Sequence, residues 1–94
     1  MVIELTDILV KPDCVDRFIE KISEFREVLM SLQGGVGVRC LQDEADACKF
    51  VFFTQWESFD AKQLFLDDPR LTQWASVYAE LVVEQADRYF LEHV

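Results

Sequence analysis

The stretch Cys48–Leu71, CKFVFFTQWESFDAKQLFLDDPRL, decides the fold. Phe50, Phe52 and Trp56 alternate with Val51 and Phe53, the period-two pattern of a strand carrying apolar side chains on both faces. At Ser58 the period changes. A serine hydroxyl there is placed to accept from a free N–H two or three residues on, and Ala61, Leu64 and Phe65 then recur at helical spacing as far as Asp67-Asp68-Pro69. A strand therefore hands directly to a helix, with a tryptophan at the junction.

Upstream, Val2 to Val10 alternates as a strand whose two faces are both largely apolar: Val2, Glu4, Thr6, Ile8 and Val10 on one, Ile3, Leu5, Asp7 and Leu9 on the other. Lys11-Pro12-Asp13 ends it, with Asp13 placed to cap the next helix. Val15, Phe18, Ile19, Ile22, Phe25, Leu29 and Leu32 recur at intervals of three and four, predicting an amphipathic helix of about five turns that Gln33-Gly34-Gly35 stops. Val36 to Leu41 alternates as a second strand. The polar link from Gln42 to Ala47 is short enough for an antiparallel hairpin with the aromatic strand. Downstream, Pro69 restarts the chain, and Leu71, Trp74, Ala75, Tyr78, Leu81 and Val82 mark a second helical piece to about Glu84. Gln85 to Val94 reads as the last strand.

The order β-α-β-β-α-β predicts an α+β, ferredoxin-like domain over residues 1–94, with a four-stranded antiparallel sheet and both helices on one face. Helices shield one face only, yet apolar side chains fall on both. An uncovered oily face is a large adhesive patch, and a second copy of the sheet related by twofold symmetry buries it most simply. The expectation is a homodimer through the sheet face.

Composition narrows the partners. With 18 acidic against 9 basic residues the formal charge is -9, a field that repels polyphosphate, so nucleic acid is not an expected partner. The 51% hydrophobic and 13% aromatic content argues against disorder. Cys14, Cys40 and Cys48 form neither a C-x-x-C pair nor a metal spacing, and their odd number argues against a disulfide framework; they are read as reduced. The opening MVIELTDILVKPD has no basic leader, and no apolar run approaches ~18 residues, so no membrane span is expected and the cytoplasm is the default location. Gly34, Gly35 and Gly37 follow a helix and precede a strand, the reverse of a phosphate-binding loop. Asp67-Asp68 and Asp43-Glu44 read as solvated loop charges.

The run Phe50-Val51-Phe52-Phe53-Thr54-Gln55-Trp56-Glu57-Ser58, followed by Asp60-Ala61 and Pro69, resembles the antibiotic biosynthesis monooxygenase family. Val10-Lys11-Pro12-Asp13 and Gly34-Gly35-Val36 also fall where that family's first strand ends and its second begins. The resemblance implies a dimeric α+β barrel. It implies cofactor-independent oxygenation of an anthrone- or hydroquinone-like aromatic, with haem degradation in one branch and no assigned activity in many members. The family tryptophan falls on Trp56. Phe65 stands nine residues later where members commonly have a histidine, and Arg70 stands where they have a second one just after the proline. The haem-degrading branch further needs a histidine on the second helix, where this chain offers Trp74 and Tyr78, and an asparagine in the first strand, where it offers Thr6 and Asp7.

Oxygenation without a cofactor requires a group that removes a phenolic proton, because the resulting anion is what passes an electron to dioxygen, and an apolar, water-poor pocket. Phe52, Phe65, Trp74 and Phe90, with Trp56 and Tyr78, are the candidate enclosure for a flat aromatic ligand; the same residues also make an ordinary core. Trp56, Asp7 and Tyr78 are the candidate catalytic residues. Trp56 would wall and orient the ligand. Asp7 lies between Leu5 and Leu9: buried, it would be a base, and otherwise it pairs with Arg39 or Arg88. Tyr78 hydrogen-bonds either a ligand oxygen or water. His93, the one histidine, is an exposed, interface or catalytic group at the chain end. No metal or organic cofactor is implied. The alternative is a non-catalytic ligand-binding or assembly module of the same fold.

Overall fold

The structure is a computed structural model; it describes residues 1–31 and 35–93, and of residues 29, 35 and 36 the backbone only. The chain runs β1 (Val2–Val10), α1 (Val15–Met30), β2 (Gly35–Gln42), β3 (Lys49–Trp56), α2 (Phe59–Leu66), α3 (Pro69–Leu81) and β4 (Val82–Leu91). All strand pairs are antiparallel, in the order β2-β3-β1-β4. The fold is α+β and ferredoxin-like, with the two central strands adjacent and the edge strands β2 and β4 outside them.

Cross-strand register decides which side chains share a face, since directly opposite residues point the same way. Val2, Glu4, Thr6 and Ile8 stand opposite Trp56, Thr54, Phe52 and Phe50, and this set is buried. Phe18 and Phe25 of α1, Ala61 and Phe65 of α2, and Leu81 of α3 close over it in one continuous core. Phe25 stacks on Phe52 at 5.2 Å and meets Phe65 edge-on at 5.6 Å, so α1, α2 and β3 converge on one aromatic cluster. The opposite face carries Ile3, Leu5, Asp7 and Leu9 of β1 beside Gln55, Phe53, Val51 and Lys49 of β3, and no element of the described chain covers it.

The predicted hand-off at Ser58 is present: its side chain accepts from the Ala61 N–H at 3.2 Å. Other boundaries differ. Pro12–Cys14 forms a single 3-10 turn, which takes up Asp13 before α1 begins at Val15. Leu32 and Gln33-Gly34, the predicted end of that helix, lie outside the described residues. Leu64 is exposed, so the apolar anchors of α2 are Ala61 and Phe65. The last strand starts at Val82 instead of Gln85, because the β-branched Val82 pairs with Val10 of β1 as soon as α3 ends. A register shift between Leu9 and Val10 takes up the extra residue, and the Leu81 carbonyl accepts from the Lys11 N–H at 2.9 Å. Asp68 is no idle loop charge: it caps α3, accepting from the Arg70 N–H at 2.8 Å and pairing with its guanidinium at 2.8 Å. Those bonds hold the Asp68 carboxyl below the usual carboxylate range. Cys14, Cys40 and Cys48 are all free thiols, and burial pushes Cys40 up to about 12. No described helix is long and apolar enough to cross a membrane.

Candidate functional site

Between the covered sheet face and helices α2 and α3 lies a cavity of about 240 Å3. One wall is aromatic and aliphatic, built from Phe25, Phe52, Trp56, Phe65, Leu71 and Trp74. Trp74 is fixed at both ends: its indole N–H donates to the Lys21 carbonyl of α1 at 3.0 Å, and its ring stacks on Tyr78 at 4.6 Å. Trp56 is only 2% exposed and packs against Phe65 at 5.3 Å.

The other side is polar, and β1 and β4 supply most of it. Glu4 and Thr6 stand opposite Tyr89 and Asp87, with Gln85 next along the same face of β4. Glu4 is buried and accepts three hydrogen bonds: from Trp56 Nε1 to Oε1 at 3.1 Å, and to Oε2 from Lys62 Nζ at 3.0 Å and the Tyr89 hydroxyl at 3.3 Å. Lys62 also donates to the Tyr89 hydroxyl. Burial alone would lower the Lys62 pKa, but its bonds to Tyr89 and Glu4 outweigh that and raise it above its ordinary value of 10.5. Lys62 is therefore a cation throughout the neutral range. At the far end the Tyr78 hydroxyl donates to Gln85, and burial, with the Asp87 charge second, raises the phenol's pKa, so it stays a neutral donor.

The structure thus brings Trp56, Phe52, Phe65, Trp74 and Tyr78 together around one cavity, and leaves two predicted residues out of it. Phe90 pairs with Ile3 on the uncovered face and is 48% exposed, because the register of β4 turns Asp87 and Tyr89 inward in its place. Asp7 pairs with Val51 on that same uncovered face, exposed and 3.7 Å from Arg88, so it reaches no ligand in the cavity. His93 is exposed. Sequence reasoning missed Glu4, Lys62, Tyr89 and Asp87. The one available signal was Glu4 itself, a charge in the inward register of a strand between Val2 and Thr6. A larger depression, about 370 Å3, opens on the uncovered face near Leu9, Leu41 and Val51. Its charged groups Asp7, Asp43, Lys49 and Glu84 are all exposed; Asp87 of the covered cavity is exposed too, but Glu4 and Lys62 there are largely withdrawn from water.

Residues 1–77 match the family model described as antibiotic biosynthesis monooxygenase. The chain belongs to that family. Its fold agrees with solved structures along its whole length. A protein from Nitrosomonas europaea bearing the provisional name of antibiotic biosynthesis monooxygenase superposes with a TM-score of 0.90 at 17% identity, over 98% of each chain. SnoaB of Streptomyces nogalater, described as a cofactor-independent oxygenase, superposes with a TM-score of 0.90 at 16% identity, over 99% of this chain and 93% of that one. At these identities the likeness is one of fold. Comparison with curated proteins returned no match. Of the two positions where the family commonly has histidine, Phe65 forms part of the cavity wall, and Arg70 is engaged by Asp68 outside it.

Proposed function

We propose that this family member is a cofactor-independent monooxygenase of a small aromatic hydroquinone, bound in the cavity between the sheet and α2–α3. The observation that carries this reading is the pairing of a continuous aromatic wall with a polar rail along β4. A ring stacks on the wall while its oxygen substituents meet Lys62, Asp87 and Gln85. The overall reaction balances as hydroquinone plus dioxygen giving hydroxyquinone and water: one oxygen atom enters the ring and the other leaves as water. Asp87, on the inward face of β4 and hydrogen-bonded only to the Gln85 amide at 3.4 Å among the described residues, is the carboxylate open to a phenolic proton. Glu4 instead holds Trp56 and Lys62 in place.

The volume limits the ligand. About 240 Å3 falls below the roughly 300–1,000 Å3 of drug-sized pockets, which favours a hydroquinone over a three-ring anthrone or haem. A second reading, ligand binding without turnover, is favoured by Phe65 and Arg70 standing at the two histidine positions. We further propose that a second copy of the chain covers the open sheet face, where Ile3, Leu5, Leu9, Val51 and Phe53 lie side by side.

Oxygen uptake with a panel of hydroquinones, read above the protein-free rate and with labelled dioxygen, separates these readings. The expected result is incorporation of one labelled atom into product, reduced roughly tenfold or more in Trp56→Phe through loss of positioning, and unchanged in Asp7→Asn. Saturable binding with no labelled product would establish the non-catalytic reading.

A further inference from the structure

We infer that Lys62 makes the cavity selective for the singly ionised form of a hydroxylated arene, and that Glu4 restrains that selectivity. The inference rests on the cavity being the ligand site. An ammonium group has three N–H donors. Among the described residues two acceptors lie within hydrogen-bond distance of Lys62 Nζ, Glu4 Oε2 and the Tyr89 hydroxyl, which leaves one donor for a ligand in the cavity that Lys62 lines. Glu4 cannot take the ligand's proton without giving up one of its own donors, since Trp56, Lys62 and Tyr89 already converge on its two oxygens.

The cavity's titratable groups come from three elements besides α2. β1 supplies Glu4, β4 supplies Asp87 with Tyr89 beside it, and α3 supplies Tyr78; β3 and α1 contribute only Thr54 and aromatic rings. Glu4 cancels much of the Lys62 charge, and Asp87, two residues from Tyr89 on the same face of β4, opposes a second anion. A monoanion therefore fits where a dianion does not: one oxygen, as phenolate, accepts from Lys62, and the remaining hydroxyl donates to Asp87. In forming that state the phenolic O–H bond breaks, the electron pair stays on oxygen, and Asp87 takes the proton and passes it to solvent, regaining its charge before the remaining hydroxyl donates to it.

The test uses 4-nitrophenol as a single-hydroxyl probe, its ionisation followed by the visible absorbance of the phenolate in the presence of the full chain. Wild type is expected to lower the bound probe's pKa by about one unit, a tenfold preference for the anion. Lys62→Met is expected to abolish the shift, Lys62→Arg to keep it, and Glu4→Gln, which removes the competing charge, to enlarge it. A merely structural ion pair would move the Lys62→Met and Glu4→Gln variants in the same direction. No shift in wild type, or shifts of one sign in both variants, overturns the inference even if a variant folds poorly. Oxygen uptake is read separately: uptake without the shift overturns this inference alone, while the shift without uptake supports it and removes the oxygenase reading.

Discussion

Replacing Trp56 by alanine is expected to cost about 3–5 kcal/mol of stability. The indole is almost wholly buried at the end of β3, packs on Phe65 and donates to Glu4, so its loss opens a void and strands a buried carboxylate oxygen. A domain of this size has a total stability of about 5–15 kcal/mol, so the variant loses a large part of it. Trp56→Phe is the milder change. It keeps one aromatic ring against Phe65 but removes the pyrrole ring with its N–H, and the unpaired Glu4 oxygen alone is expected to cost about 1–3 kcal/mol. Urea denaturation followed by circular dichroism checks both values. A loss below about 1 kcal/mol in Trp56→Ala would mean that the junction tryptophan does not anchor the core.

Phe53→Asp is expected to turn the proposed dimer into a folded monomer. Phe53 stands opposite Leu5 on the uncovered face, away from the core beneath the helices, so the subunit keeps its own packing. In the proposed dimer the new carboxylate would be buried without a partner, at a cost of about 3 kcal/mol or more in each subunit. At about 1.4 kcal/mol per tenfold in Kd, the two carboxylates together weaken association by about four orders of magnitude. Sedimentation velocity at micromolar concentration, with circular dichroism confirming the fold, reads the outcome. A wild-type chain that sediments as a monomer would remove the proposed second copy altogether.

Much of the architecture could be read from local pattern. The strand Val2–Val10, the Ser58 cap and the aromatic strand ending at Trp56 follow from period and capping chemistry, which act over a few residues. The site was less legible because it depends on register. Alternation in β4 separates Phe90 and Arg88 from Tyr89 and Asp87, but only the pairing with β1 says which set turns inward, and both faces of this sheet accept an aromatic. The Glu4–Lys62–Tyr89 cluster joins residues 58 and 85 positions apart in the chain. Glu4 alone carries an odd signal, and nothing local in Lys62 or Tyr89 names it as their partner. Asp7 shows the converse: its neighbours Leu5 and Leu9 suggested burial, yet all three lie on the face that the helices leave open.

The chain has two tryptophans, Trp56 and Trp74, and both line the cavity. Tryptophan emission, selectively excited, therefore reports on its occupancy. Titration with a hydroquinone under anaerobic conditions should give saturable quenching, and Lys62→Met should weaken it. Emission that stays unchanged to millimolar hydroquinone would contradict the assignment of this cavity as the ligand site.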